Sequence, residues 1–163
     1  MPYMSVAAID AAIEYVASTF PALARVIVLP EHSVEGRVVK ALRIAGGSGA
    51  GSVPDNRTGV LFVGGIHARE LINPETLVEF ALRFCTARAN NTGLAFGPKS
   101  YSATDVQLAA DGLSIVILPM ANPDGGEYDL TGPAGGNARP FRDERKHRRE
   151  NFGRATGDRS ANV

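Results

Sequence analysis

His67 and Glu70 are the residues of this 163-residue chain whose types and spacing best suit chemistry. Neutral imidazole and carboxylate are both good zinc ligands, binding at roughly 2.0–2.2 Å. Three residues apart, they can be aimed at one point by a single tight turn leaving a strand. Gly64 and Gly65 precede them, and glycine admits the backbone conformations that a crowded strand-to-turn transition demands. The pattern predicts a two-ligand portion of a catalytic zinc site. A bare His-x-x-Glu also arises by chance, and a histidine beside a strand is more often a hydrogen-bonded structural residue. The surroundings decide between these readings.

An apolar run, Val60-Leu61-Phe62-Val63, feeds the turn, and a helical pattern leaves it. The run is apolar on both faces, which predicts a central strand over 59–63. Asn73 is expected to cap the next helix with Pro74 at its first position. Leu77, Ala81, Phe84 and Cys85 mark its buried face to about Ala89. Upstream, Ser5 caps a predicted helix whose core face carries Val6, Ile9, Ile13, Val16 and Phe20, with Pro21 ending it. Strands are expected over 24–29 and 37–45. Residues 90–99 read as loop. Ser102 or Thr104 starts a short helix to Ala110, Gly112 breaks it, and 113–118 form the fourth strand. From Asn122 onward Gly, Pro, Asp and Arg dominate, so 122–163 are expected to be irregular, with disorder among them. The order helix, strand, strand, strand, helix, helix, strand predicts an α/β fold.

Composition narrows the function classes. Hydrophobic residues make up 44% and charged residues 21% of the chain, a soluble globular balance in a length that suits one domain. The formal net charge is zero, so nothing overall favours nucleic acid or an anionic membrane. The single cysteine, Cys85, excludes an internal disulfide framework and is expected to be buried and inert. Met1 to Phe20 has no basic leader region and carries Asp10 and Glu14, so this stretch is not expected to be a signal peptide. No apolar run approaches the ~20 residues that span a bilayer, and a cytoplasmic location is the default expectation. Gly46 to Gly51 superficially suggests a phosphate loop. Since no helix follows it, it reads as a flexible hairpin loop. His32 lies in a polar loop and reads as a solvated surface residue.

His67-Ala68-Arg69-Glu70, with Gly-Gly before it and Asn73-Pro74-Glu75-Thr76 after it, resembles the zinc carboxypeptidases of the carboxypeptidase A/B type. A second family-like segment, Leu118-Pro119-Met120-Ala121-Asn122-Pro123-Asp124-Gly125, follows in the right order. The resemblance implies a mixed β-sheet flanked by helices, here with about four strands, and one Zn²⁺ held in part by His67 and Glu70. It implies that Arg69 contacts substrate backbone near the metal. In the family the Asn-Pro-Asp-Gly segment leads to an Arg-x-Trp-Arg-Lys-type stretch, and Arg145-Lys146-His147-Arg148-Arg149 looks like its counterpart. On that match Arg148 contacts substrate, polarises the scissile carbonyl and stabilises the oxyanion, work worth ~3–4 kcal/mol for comparable donors. His147 stands where the family has Trp, which makes Arg149 a rival for Arg148 and His147 a candidate metal ligand.

The resemblance covers the front part of the family's catalytic domain, so 1–163 reads as a single partial catalytic domain. The family's third zinc ligand, its carboxylate-gripping pair and its glutamate base have no counterparts here. The implied activity of the complete enzyme is zinc-dependent hydrolysis of C-terminal peptide bonds, with this chain alone inactive. A peptide C-terminus is the expected partner, and neither nucleic acid nor membrane is expected. Self-association through an exposed sheet edge is expected as well. The alternative is a noncatalytic carboxypeptidase-like binding module. Retention of His67, Arg69, Glu70 and Arg148 together speaks against it.

Overall fold

The computed structural model describes residues 3–47 and 56–131. Helix α1 spans Val6–Thr19, and the Ser5 side chain accepts the Ala8 N–H at 3.1 Å as its cap. Its period buries Val6, Ile9, Ile13 and Val16 on one face. Phe20 is half-buried, and its N–H closes the helix onto Val16 O at 3.0 Å.

Strands β1 (Ala24–Val28), β2 (Lys40–Ile44), β3 (Thr58–Val63) and β6 (Leu113–Leu118) form a sheet in the order β1-β2-β6-β3. β1 with β2 and β2 with β6 are antiparallel, whereas β6 and β3 are parallel. The sheet is therefore mixed. A parallel pair needs a long crossover, and here it contains helix α2 (Ile72–Ala89), strands β4 (Leu94–Phe96) and β5 (Lys99–Tyr101), and helix α3 (Ala103–Gly112). Leu42, Ile44, Ile115 and Ile117 share one face and meet Ile9, Ile13, Phe84 and Cys85 in the core. On the other face Arg43 is buried and its Nε donates to Ser114 Oγ at 2.9 Å. Cys85 is buried as expected, and burial pushes its thiol up to about 12.

Several expectations are corrected. β3 is an edge strand among the described residues, not a central one. Its apolar character is real, but Leu61 and Val63 are 64% and 41% exposed. Apolar residues on both faces report what a strand's faces are suited to, not its lateral place in the sheet. β6, later in sequence, takes the place between β2 and β3. Asn73 is not a cap either. α2 begins at Ile72 with Leu71 in the cap position, and Pro74 sits buried in the first turn, where a missing N–H costs little. Residues 94–101 form a hairpin instead of loop, turning at Gly97 with φ +56°.

Ser102 caps α3 in a reciprocal capping box with Asp105, and these bonds hold the Asp105 carboxyl below its ordinary range. Helix α4 (Pro123–Thr131) replaces the irregular structure expected there. The expected irregularity beyond residue 131 and the loop at 48–55 lie outside the described residues. No helix among the described residues is long and apolar enough to cross a membrane.

Candidate metal centre

The turn that carries His67 and Glu70 is built where β3 and β6 run out side by side. Gly64 N–H donates to Leu118 O at 2.9 Å, Ala121 N–H to Gly64 O at 3.0 Å, and Asn122 N–H to Gly65 O at 2.9 Å. The ladder thus continues past both strands. Two glycines are required for that approach. A Cβ on Gly64 would lie 2.9 Å from both Leu77 Cδ1 and Pro119 O. Gly65 has φ +60°, and a Cβ there would meet Met120 Sδ at 2.8 Å.

Beyond the glycines the chain turns over one buried residue. Ala68 is buried, while Ile66, His67, Arg69 and Glu70 are all exposed. A Cβ placed on Gly125 would lie only 2.9 Å from the Ala68 methyl, so the turn sits directly on the start of α4. Glu70 N–H donates to His67 O at 3.1 Å, which closes the turn. Asn73 Nδ2 donates to Glu70 Oε2 at 3.3 Å and helps orient that carboxylate. This is the role of Asn73 in place of capping.

Asn122 joins the two motifs. Its Oδ1 accepts the Gly125 N–H at 3.0 Å, the bond of a helix N-cap, and Pro123 follows at the first helical position. Its Nδ2 donates to Ile66 O at 3.4 Å, one residue before His67. Asp124 extends the network to the β1–β2 connection. Its carboxylate, 1% exposed, accepts from Ser33 Oγ at 2.7 Å, Glu35 N–H at 3.0 Å and Arg37 Nη1 at 2.7 Å. Burial pushes this carboxyl up, but the bonds from Ser33, Glu35 and Arg37 together outweigh it and hold Asp124 below the usual carboxylate range. Glu35 first, and then Asp124, raise the Arg37 guanidinium in turn.

Sequence reasoning did not single out Ser33, Arg37 or the buried role of Asp124. The available signal was Asn-Pro-Asp-Gly itself, which has the cap, the first-position proline and the acidic first turn of a helix start.

His67 and Glu70 fit zinc in kind, being exposed nitrogen and oxygen donors on one braced turn at the carboxyl end of a sheet strand. Open α/β sheets favour ligands at such ends. The described residues hold no group of three His, Cys, Asp or Glu side chains that could enclose a metal. Arg69 shares the turn, exposed. Arg148, Arg149 and His147 lie outside the described residues. His32 is exposed in its loop, as expected.

A cavity of about 800 Å³ opens elsewhere, between α2, α3, the β4–β5 hairpin and Phe62 of β3. Phe62, Phe84 and Phe96 surround Phe80 in it, with ring centroids 5.5–6.2 Å apart. His67, Arg69 and Glu70 are not among its lining residues.

The family model described as zinc carboxypeptidase matches residues 9–158. Carboxypeptidase B of Helicoverpa zea is 28% identical over 130 residues, covering 79% of this chain and 25% of that protein. The chain therefore spans about a quarter of the length of this curated relative. Among solved structures, bovine thrombin-activatable fibrinolysis inhibitor, in complex with tick carboxypeptidase inhibitor, superposes with a TM-score of 0.59 at 20% identity. That match covers 82% of this chain and 36% of the other. Carboxypeptidase A of Helicoverpa armigera gives 0.57 at 23% identity, over 80% of this chain and 27% of the other. A metallo-carboxypeptidase of Burkholderia cenocepacia gives 0.56 at 21% identity, over 85% and 30%. These structures share the fold. Since the family match runs through nearly all of the sequence, from α1 past the turn and the Asn122 latch, the chain belongs to the zinc carboxypeptidase family.

Proposed function

We propose that this chain contributes the first half of a zinc carboxypeptidase active site, acting on the C-terminal peptide bond of a peptide. The observation that carries the proposal is the braced turn, which presents His67 and Glu70 to solvent and ties them to the family's second motif through Asn122.

In this reading His67 and Glu70 hold the metal, and the carboxamide of Asn73 steadies the glutamate. Zinc, when bound, supplies Lewis acidity for water activation and carbonyl polarisation. Arg69 contacts substrate backbone beside the turn. Arg148 sets its guanidinium against the carbonyl oxygen of the scissile bond and takes up the negative charge that develops there. Catalytic zinc sites use three protein ligands, so the two on this turn bind zinc weakly by themselves. The third ligand and the general base belong to parts of a complete enzyme for which this chain has no matching motif.

Zinc titration by calorimetry, with hydrolysis of a blocked dipeptide followed in parallel, tests this reading. The expected result is weak binding that both His67→Ala and Glu70→Ala abolish, with hydrolysis at background. Binding untouched by either substitution would remove the metal assignment. Tight stoichiometric binding with turnover that depends on His67 would show that the chain supplies its own third ligand, with His147 the first residue to replace.

A further inference from the structure

The turn between β1 and β2 is folded into a receptor for one carboxylate. Ser33 N–H donates to Arg37 O at 2.9 Å, Gly36 N–H to Ser33 O at 3.0 Å, and Arg37 N–H to Ser33 Oγ at 2.9 Å. Gly36 makes the tight return, with φ +82°. Closed in this way, residues 33–37 aim the Ser33 hydroxyl, the Glu35 N–H and the Arg37 guanidinium at one place. The Asp124 carboxylate fills it, with Oδ1 accepting from Ser33 and Arg37 and Oδ2 from Glu35. A carboxylate this deeply buried is stable only while its lone pairs are met, so the fit fixes both partners.

Sheet topology brings this receptor to the metal turn. β1 is antiparallel to β2 and β2 to β6, so β1, β6 and β3 all run the same way. The connection leaving β1 therefore stands at the end of the sheet where β3 delivers His67 and Glu70. Asp124 lies between two residues that meet that turn. Asn122 bonds to Ile66 O, and Gly125 lies so close to Ala68 that a Cβ would come within 2.9 Å of its methyl. Holding Asp124 holds both.

We propose that Ser33, Arg37 and Asp124 are positioning residues for the candidate metal centre, clamping the start of α4 so that it bears on the turn of His67 and Glu70. The metal part of this inference rests on the function proposed above. The clamp acts on the turn through Asn122 and Gly125. Hydrogen bonds to an ionised group are roughly twice as strong as neutral ones, whereas the Asn122 bond to Ile66 is neutral and long, at 3.4 Å. The charged cluster supplies the stiffness that this single bond lacks.

Amide hydrogen exchange on the metal-free chain, read residue by residue by NMR, tests the clamp. The Ala121 and Asn122 N–H groups bond to Gly64 O and Gly65 O and report the join between the turn and the segment before α4. Ala45 N–H, bonded to Leu23 O at 2.8 Å at the other end of the sheet, reports overall stability. Asp124→Asn and, more mildly, Ser33→Ala are expected to speed exchange at Ala121 and Asn122 by on the order of tenfold more than at Ala45, as local opening does. Ser33→Thr, which keeps the hydroxyl, is expected to restore protection. In zinc titrations Asp124→Asn and Ser33→Ala are expected to bind roughly three- to tenfold more weakly, at or below the low end of the ~10–100-fold lost with outer-shell partners that hold a ligand directly. Exchange that quickens equally at all these amides would leave the clamp a purely structural role and overturn the proposal. Unchanged zinc affinity in variants whose amides open would overturn it too. Zinc binding indifferent to His67→Ala would instead remove the metal reading, and the exchange rates, taken without metal, would still decide whether the clamp holds the turn.

Discussion

The side-chain amide of Asn122 donates to the carbonyl of Ile66 at 3.4 Å, so the segment opening α4 holds the backbone directly beside His67. The same side chain caps α4 through Gly125. One residue thus connects the start of a helix to the candidate metal turn.

Asn122→Ala is expected to lower stability by about 1–2 kcal/mol, the usual cost of losing an N-cap of this kind. Asn122→Asp keeps the acceptor for Gly125 and loses the donor to Ile66. It should recover most of the stability but not the zinc affinity of the turn. Urea midpoints and zinc titration of both variants check this. Equal zinc affinity in all three proteins would show that the bond to Ile66 has no part in holding the turn.

Asp124 gives a pH dependence with a definite sign. Its folded pKa lies below its unfolded value of ~3.9, so its stabilising contribution is fully present above the unfolded pKa. It is lost as pH falls through the folded one. Asp124→Asn is expected to cost about 2–3 kcal/mol at neutral pH, as for hydrogen bonds to a charged buried group. The variant should also show a flatter fall of stability below about pH 4. Denaturation curves from pH 2 to 7 check both effects. Parallel curves for the two proteins would contradict the assignment.

Gly65→Ala and Gly97→Ala separate backbone strain from crowding. Both positions have left-handed φ, +60° and +56°, which costs alanine about 1–2 kcal/mol. Only at Gly65 does the new methyl meet Met120 Sδ, at 2.8 Å, whereas Gly97 has nothing within 4 Å. Gly65→Ala is expected to lower the thermal midpoint clearly more than Gly97→Ala. Equal shifts would mean that Met120 moves aside freely.

Local signals carried the elements that rest on local chemistry. The period of α1 and its Ser5 cap, and the Ser102 cap of α3, can be read from a few neighbouring residues and stand in the structure. The turn after β3 was legible as a turn because Gly-Gly, His67 and Glu70 lie within seven residues of each other. What escaped depends on distant partners. The lateral place of β3 is decided by β6, and nothing within Thr58–Val63 reports that. Asp124 reads as a solvent-facing acid in a polar segment until Ser33 and Arg37, about 90 residues earlier, close over it. The β4–β5 hairpin was missed because three-residue strands leave too short an alternation to detect.

The bond from Asn122 to Ile66 spans 56 residues of chain, and this sets when the turn can exist. During synthesis His67 and Glu70 emerge well before β6 and α4, so the turn lacks its brace until that long loop closes. Closing it carries an entropic cost that only the assembled sheet repays. The geometry of the turn around His67 and Glu70 is therefore set by the assembly of β6 and α4 against it, and not by the turn's own seven residues.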